Sequence, residues 1–146
     1  MAVDLISIIV VLVLATSAEI LIAIPIGVLI FGMDPALAFL VAYPANLIPI
    51  IIILPLVGYL DKRFPRFFDY LARRSGRFQK RLEGKYGLAF LFLIIPITGV
   101  YGASIASGLL RFDKERSFLV QSLALAFYGA IEVVLLYLGI RFIIGL

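Results

Sequence analysis

Two short phrases decide how this chain is read: Ile24-Pro25-Ile26-Gly27-Val28 in the first half and Ile95-Pro96-Ile97-Thr98-Gly99-Val100 in the second. Each sets a proline and a glycine inside a run otherwise apolar enough to lie in lipid. Proline removes a backbone donor and crowds the preceding turn, and glycine permits a bend, so both runs are expected to be broken helices. Lipid offers nothing to satisfy freed backbone groups, so irregular backbone survives there only when buried in protein or lining a wet cavity. The breaks at Pro25 and Pro96 are therefore the first candidates for a working site.

Working outward, 64% of the 146 residues are hydrophobic and the mean hydropathy is +1.16. A soluble domain of this length could not cover so much apolar surface, so the chain is expected to be an all-α integral protein of the cell membrane with several passes. It has no Cys and no His, which removes thiol chemistry, disulfides and the commonest metal ligands. With no nucleophile-and-base pattern, metal cluster or cofactor motif, neither an enzyme nor a cofactor is expected. The net charge of +4 comes from one block, Lys62, Arg63, Arg66, Arg73, Arg74, Arg77, Lys80, Arg81 and Lys85, set against Asp61, Asp69 and Glu83. Beside apolar spans such a block reads as a cytoplasmic connector facing anionic lipid, not as a nucleic-acid site. Ala18 could suit a signal peptidase, but the N-terminal run lacks a basic start and continues past it, so the segment is expected to be retained.

Residues 5 to 33 form the first apolar run, interrupted by Glu19 and Pro25, and end at Gly32-Met33-Asp34-Pro35. That ending predicts a turn and a new helix with Asp34 as N-cap and Pro35 at its first position. Residues 35 to 60 predict a span kinked by Pro44, Pro49 and Pro55. In the connector, 61 to 85, Phe64, Phe67, Phe68, Leu71, Phe78 and Leu82 recur at helical spacing between arginines. Part of it is expected to lie on the membrane surface, with a break at Ser75-Gly76. Residues 86 to 110 carry the second break and the small residues Gly99, Gly102, Ala103, Ser104, Ala106, Ser107 and Gly108, which predict close packing against protein. A last span runs from Ser117 to about Ile140.

The halves, about 1–60 and 86–146 within a single membrane domain, look like a repeat. Asp34 precedes Phe39-Leu40-Val41 as Asp113 precedes Phe118-Leu119-Val120, and Lys62 meets Arg141 at the same offset of 79. The two prolines are offset by 71, which implies eight extra residues after the second break. If all four apolar segments crossed, Arg111, Lys114 and Arg116 would lie outside, against the positive-inside tendency. If each broken run enters and returns as a re-entrant hairpin, those cations fall on the cytoplasmic side. Each half then crosses once, and the halves are related by inversion. The expected fold is thus an inverted repeat of re-entrant helical hairpin plus transmembrane helix, a plan that binds substrate at the repeat interface.

Glu19 is the most informative residue. It sits within an apolar run, and no Lys or Arg precedes Lys62, so its carboxyl must be protonated, hydrated or paired with another segment or ligand. A proton or cation site is the functional reading; a protonated Glu bonded to broken backbone is the structural one. Glu132 falls with Ser117, Gln121 and Tyr128 on one helical face, a stripe that either lines a pathway or joins helices. Asn46 is expected to donate to carbonyls released by the prolines around it. Thr98 and Gly99 at the second break could offer backbone amides to an anion.

Glu19-Ile20-Leu21-Ile22-Ala23-Ile24-Pro25, Asn46-Leu47-Ile48-Pro49, and Tyr86-Gly87 leading into Pro96-Ile97-Thr98-Gly99-Val100-Tyr101-Gly102 resemble, in order and spacing, the putative small multi-drug export protein family. That family is similar to the DedA (VTT) superfamily, whose expected core is a pair of re-entrant hairpins. The resemblance covers about residues 15 to 110. It implies that Glu19, Pro25, Asn46, Pro96 and Gly99 sit at the family's motif positions, and that the chain moves a small molecule or lipid with proton coupling through Glu19. Leu21 and Ile22 stand where the family commonly has Arg-Gly. Two alternatives differ in class: a four-helix exporter of cationic drugs resembling the small multidrug resistance family, and a non-transporting scaffold that recruits a partner through 61–85. A homodimer would help so short a chain bury its hairpin backbone.

Overall fold

Asp4 starts the first helix. Its carboxylate accepts the Ser7 amide at 3.0 Å and also the Ser7 hydroxyl, which holds its carboxyl below the usual range. Helix α1 (Leu5–Ser17) follows, and α2 (Ile20–Leu29) after it. The structure is a computed structural model that describes residues 4–17, 19–81 and 85–144; Ala18, Leu82 and Glu83 lie outside the described residues. The remaining elements are α3 (Pro35–Arg63), α4 (Pro65–Arg81), α5 (Lys85–Leu109) and α6 (Lys114–Ile144). No strand occurs among the described residues.

Among the described residues three helical stretches, Pro35–Arg63, Ala89–Leu109 and Lys114–Gly139, are long and apolar enough to cross a membrane. The exterior agrees with that reading, since Leu93, Leu123 and Ile97 are exposed, Ile97 by 84%. Side chains that water would expel are the ones lipid receives without cost.

The first apolar run is broken, but not where its proline stands. Pro25 lies inside α2, and the non-helical residue is Glu19, with φ 135° and ψ 160°. Removing one amide costs α2 a single hydrogen bond, which a helix with Ile20, Ala23, Ile24, Gly27 and Val28 buried tolerates. At Glu19 the chain reverses. A Cβ on Gly27 would lie 3.0 Å from Val11 of α1, and residues 11 and 27 are equally far from the turn, so α1 and α2 form a helical hairpin. At ~1.5 Å per residue neither of its legs, of 13 and 10 residues, reaches across a core of ~30 Å. The second break falls where expected: Gly99 interrupts α5 with φ 67° and ψ −176°.

Helix α3 passes through Pro44, Pro49 and Pro55 as one element, and α4 continues through Ser75 and Gly76; the expected break there is absent. Asp34 caps α3 as its sequence predicts, accepting the Ala36 amide at 2.9 Å and the Leu37 amide at 3.3 Å. The chain forms two compact units, Met1–Ile48 with Leu125–Leu146, and Pro49–Ala124.

Candidate functional site

In the unit that holds Glu19, the hairpin tip carries the unusual chemistry. With φ 135° and ψ 160° Glu19 occupies a backbone region that is essentially reserved for glycine. Its amide donates to Leu14 at 3.2 Å, and its carbonyl accepts the Ala23 amide at 3.0 Å. The bend leaves the Ala15 carbonyl, the partner Glu19 would have in a continuous helix, without that amide. Asn46, fully buried, donates its side-chain amide to this carbonyl at 2.9 Å. The residue does satisfy a released carbonyl, but one freed by the hairpin 31 positions away, not by the prolines around it. Its Oδ1 is buried without a hydrogen-bond partner.

Helix α6 closes on the same unit. A Cβ on Gly129 would lie 2.5 Å from the Phe39 ring and 3.4 Å from Ile20, so the absent side chain admits both neighbours. Ile20 follows Glu19 directly, and Glu132 lies one turn beyond Gly129. The structure thus brings to neighbouring elements two carboxylates that are 113 positions apart in sequence. Glu132 is half-buried, with Oε2 enclosed and unpartnered. Further along α6 the Tyr137 hydroxyl donates to Asp34 at 2.7 Å. That bond, more than the capping amides, holds the Asp34 carboxyl below its usual value.

Of the polar stripe read on the last helix, Ser117 and Gln121 belong to the other unit, where they join helices. Ser104 donates to Gln121 at 2.8 Å and Ser107 to Ser117 at 2.6 Å, and all four are buried. The small residues of α5 therefore do pack closely, as their spacing predicts: a Cβ on Gly108 would overlap Val57 of α3. Pro96 and Thr98 are exposed, and the Thr98 hydroxyl donates back to the Ile94 carbonyl at 3.2 Å.

Arg111 is a residue the sequence reading passed over as topology. It donates to Asp61 at 2.8 Å and to Asp69 at 2.9 Å, tying the α5–α6 turn to the end of α3 and to α4. These bonds push its guanidinium pKa further up. Its φ is 55°, beside 63° for Gly32, and the two stand 79 positions apart. Two residues after each comes an aspartate cap, and Asp113 accepts the Arg116 amide at 2.9 Å as Asp34 accepts Leu37. Glu19 and Gly99, the two breaks, are 80 apart. The eight extra residues implied by the prolines are not needed once the breaks are placed by backbone. The offset of 79, visible at Asp34 and Asp113, was the signal that could have paired Arg111 with Gly32.

A family model described as putative small multi-drug export protein matches residues 19–131. The chain belongs to that family. Its matched region begins at Glu19 and takes in the hairpin leg α2, both breaks, Asn46 and most of α6. No curated protein and no solved structure matches the chain. Among the described residues of this family member, no three His, Cys, Asp or Glu side chains cluster as a metal site.

Proposed function

We propose that the chain is a multi-pass transporter of the cell membrane, and not an enzyme, that moves a small molecule or lipid with Glu19 exchanging a proton as substrate binds. Glu19 carries this reading. A glycine-only backbone conformation held by a glutamate costs roughly 1–3 kcal/mol, and strain of that kind concentrates where a side chain does work. Glu132, one turn from the α6 contact with Ile20, supplies a second carboxylate on the neighbouring helix.

The fold proposed for this activity is the inverted repeat, with a DedA-like core. Each half reads as a short leg, a glycine-type break, a ten-residue leg, a left-handed turn, an aspartate cap and a long helix. The Arg111 pairs with Asp61 and Asp69 support a return of α5 to the face where the connector lies. A four-helix exporter fits less well, because the first apolar run folds into two legs, of 13 and 10 residues, each too short to cross. Helix α4, with Phe67 and Tyr70 exposed and Phe64 exposed just before it, beside Arg66, Arg73 and Arg74, would rest on anionic lipid.

The test is Glu19→Gln in proteoliposomes carrying a pH gradient. Transport of a cationic dye or a labelled lipid should fall to the protein-free level, with the thermal unfolding midpoint unchanged. Transport at the wild-type rate would sink the proposal.

A further inference from the structure

Between α3 and the start of α6, within Pro49–Ala124, lies an apolar groove of about 450 Å³. Ile50, Leu54, Pro55, Phe118 and Leu119 line it, and Lys114 stands at one end with Glu115. Leu119 is 58% exposed, so the groove opens outward where lipid would lie. A second cavity of about 240 Å³ shares Leu54 and Lys114 with the first and is walled by Asp61, Lys62 and Arg111. Lys114 thus joins an apolar trough to a charged chamber. It reaches that position because position 58 is glycine; a Cβ there would overlap the Lys114 ammonium.

The chamber walls carry Lys62, Lys114 and Arg111 against Asp61 alone. Asp61 is engaged by Arg111, whose other bond goes to Asp69. Lys62 and Lys114 form no ion pair among the described residues. Glu115 stands at the groove mouth and is exposed. Two ammonium groups without an ion-pair partner among the described residues thus stand where the long helices end and the amphipathic α4 begins. From Lys62 to Ile50 the helix runs 12 residues, about 18 Å at ~1.5 Å per residue, against roughly 15 Å for one leaflet of a ~30 Å core. A molecule that fits has an acyl chain for the groove and an anionic head for the lysines.

We infer that this face of α3 and α6 is a seat for one anionic phospholipid, its phosphate between Lys62 and Lys114 and one acyl chain along Leu54, Pro55, Phe118 and Leu119. A neutral zwitterionic lipid leaves the two ammonium groups without a net counter-charge, and a soluble anion leaves the groove unused. The seat is separate from Glu19 and does not depend on the transporter proposal.

Native mass spectrometry of the full chain, released from micelles holding equal phosphatidylglycerol and phosphatidylcholine, tests it. The wild type should retain phosphatidylglycerol by roughly tenfold over phosphatidylcholine, on the scale set by two lysines near a phosphate. Lys62→Ala with Lys114→Ala should lower that ratio severalfold, Leu119→Trp should lower retention of both lipids, and Arg66→Ala with Arg73→Ala on α4 should weaken the preference less than the two lysine changes do. Equal retention by the wild type, or a preference lost only in the α4 variant, overturns the seat. If the double variant does not fold, a photoactivatable phosphatidylglycerol on the wild type decides: crosslinks within 50–55 and 114–119 support it, and crosslinks confined to α4 overturn it.

Discussion

Glu19 poses a conflict between backbone and side chain that two substitutions separate. Gln keeps the strained conformation and removes the titratable proton; Gly removes both the strain and the carboxyl. Relief of roughly 1–3 kcal/mol, less the about 0.4–1 kcal/mol by which a glycine loosens the unfolded chain, leaves Glu19→Gly more stable than wild type by about 1 kcal/mol, and by no more than about 2.6 kcal/mol. Unfolding titration in mixed micelles should show this gain while transport is lost, as expected where stability has been traded for a working site. A destabilised Glu19→Gly protein would mean that the carboxyl is there to hold the hairpin. Asn46 is the residue that makes this bend tolerable, because an unmatched carbonyl buried beside it would otherwise cost about 1–3 kcal/mol.

At the scale of elements, the two turns that precede α3 and α6 solve one backbone problem with different residues. Gly32 enters the left-handed region without cost, whereas Arg111 does so against a Cβ clash of about 1–2 kcal/mol. Its guanidinium gains two carboxylates in exchange, in side chains still 26–49% exposed, and pairs so exposed contribute at most about 1 kcal/mol each. Both Arg111→Ala and Arg111→Gly lose the pairs, but only the alanine keeps the clash. The glycine variant should therefore unfold later than the alanine variant, by roughly 1 kcal/mol, and stay close to wild type; reversed order would show that the turn is not strained. Much of this layer was legible in the sequence. Asp34 and Pro35 announced the start of α3, the small residues announced the packing of α5, and Gly99 announced its break. The first break was misplaced because proline is a local signal, while the choice of Glu19 is tertiary: it depends on Asn46 from α3 and on Gly129 of α6, which admits Ile20. Ser75 and Gly76 misled for a related reason, since a helix of 17 residues can carry one weak pair without ending.

At the scale of the whole molecule, the open matter is which end of each long helix faces which side of the membrane. Helix α3 has the length to cross, so positions just before Pro35 and just after Arg63 should lie on opposite sides. In the proposed topology the basic connector lies on the cytoplasmic side, and Arg111, bound to Asp61 and Asp69, shares that side with it. Helix α5 would then leave and return on one side, through the bend that Gly99 permits. The chain contains no cysteine, so single cysteines report without background. Arg116→Cys, at an exposed position in the first turn of α6, should react with an impermeant maleimide only when the reagent reaches the cytoplasmic face. Ile30→Cys, at a position 69% exposed at the end of α2, should react only from the opposite face. Labelling of both from outside would place Arg111 and the connector on opposite sides of a bilayer. Because two charge-assisted bonds of 2.8 and 2.9 Å cannot span that distance, such a result would remove the hairpin reading of α5 and leave it an ordinary kinked span.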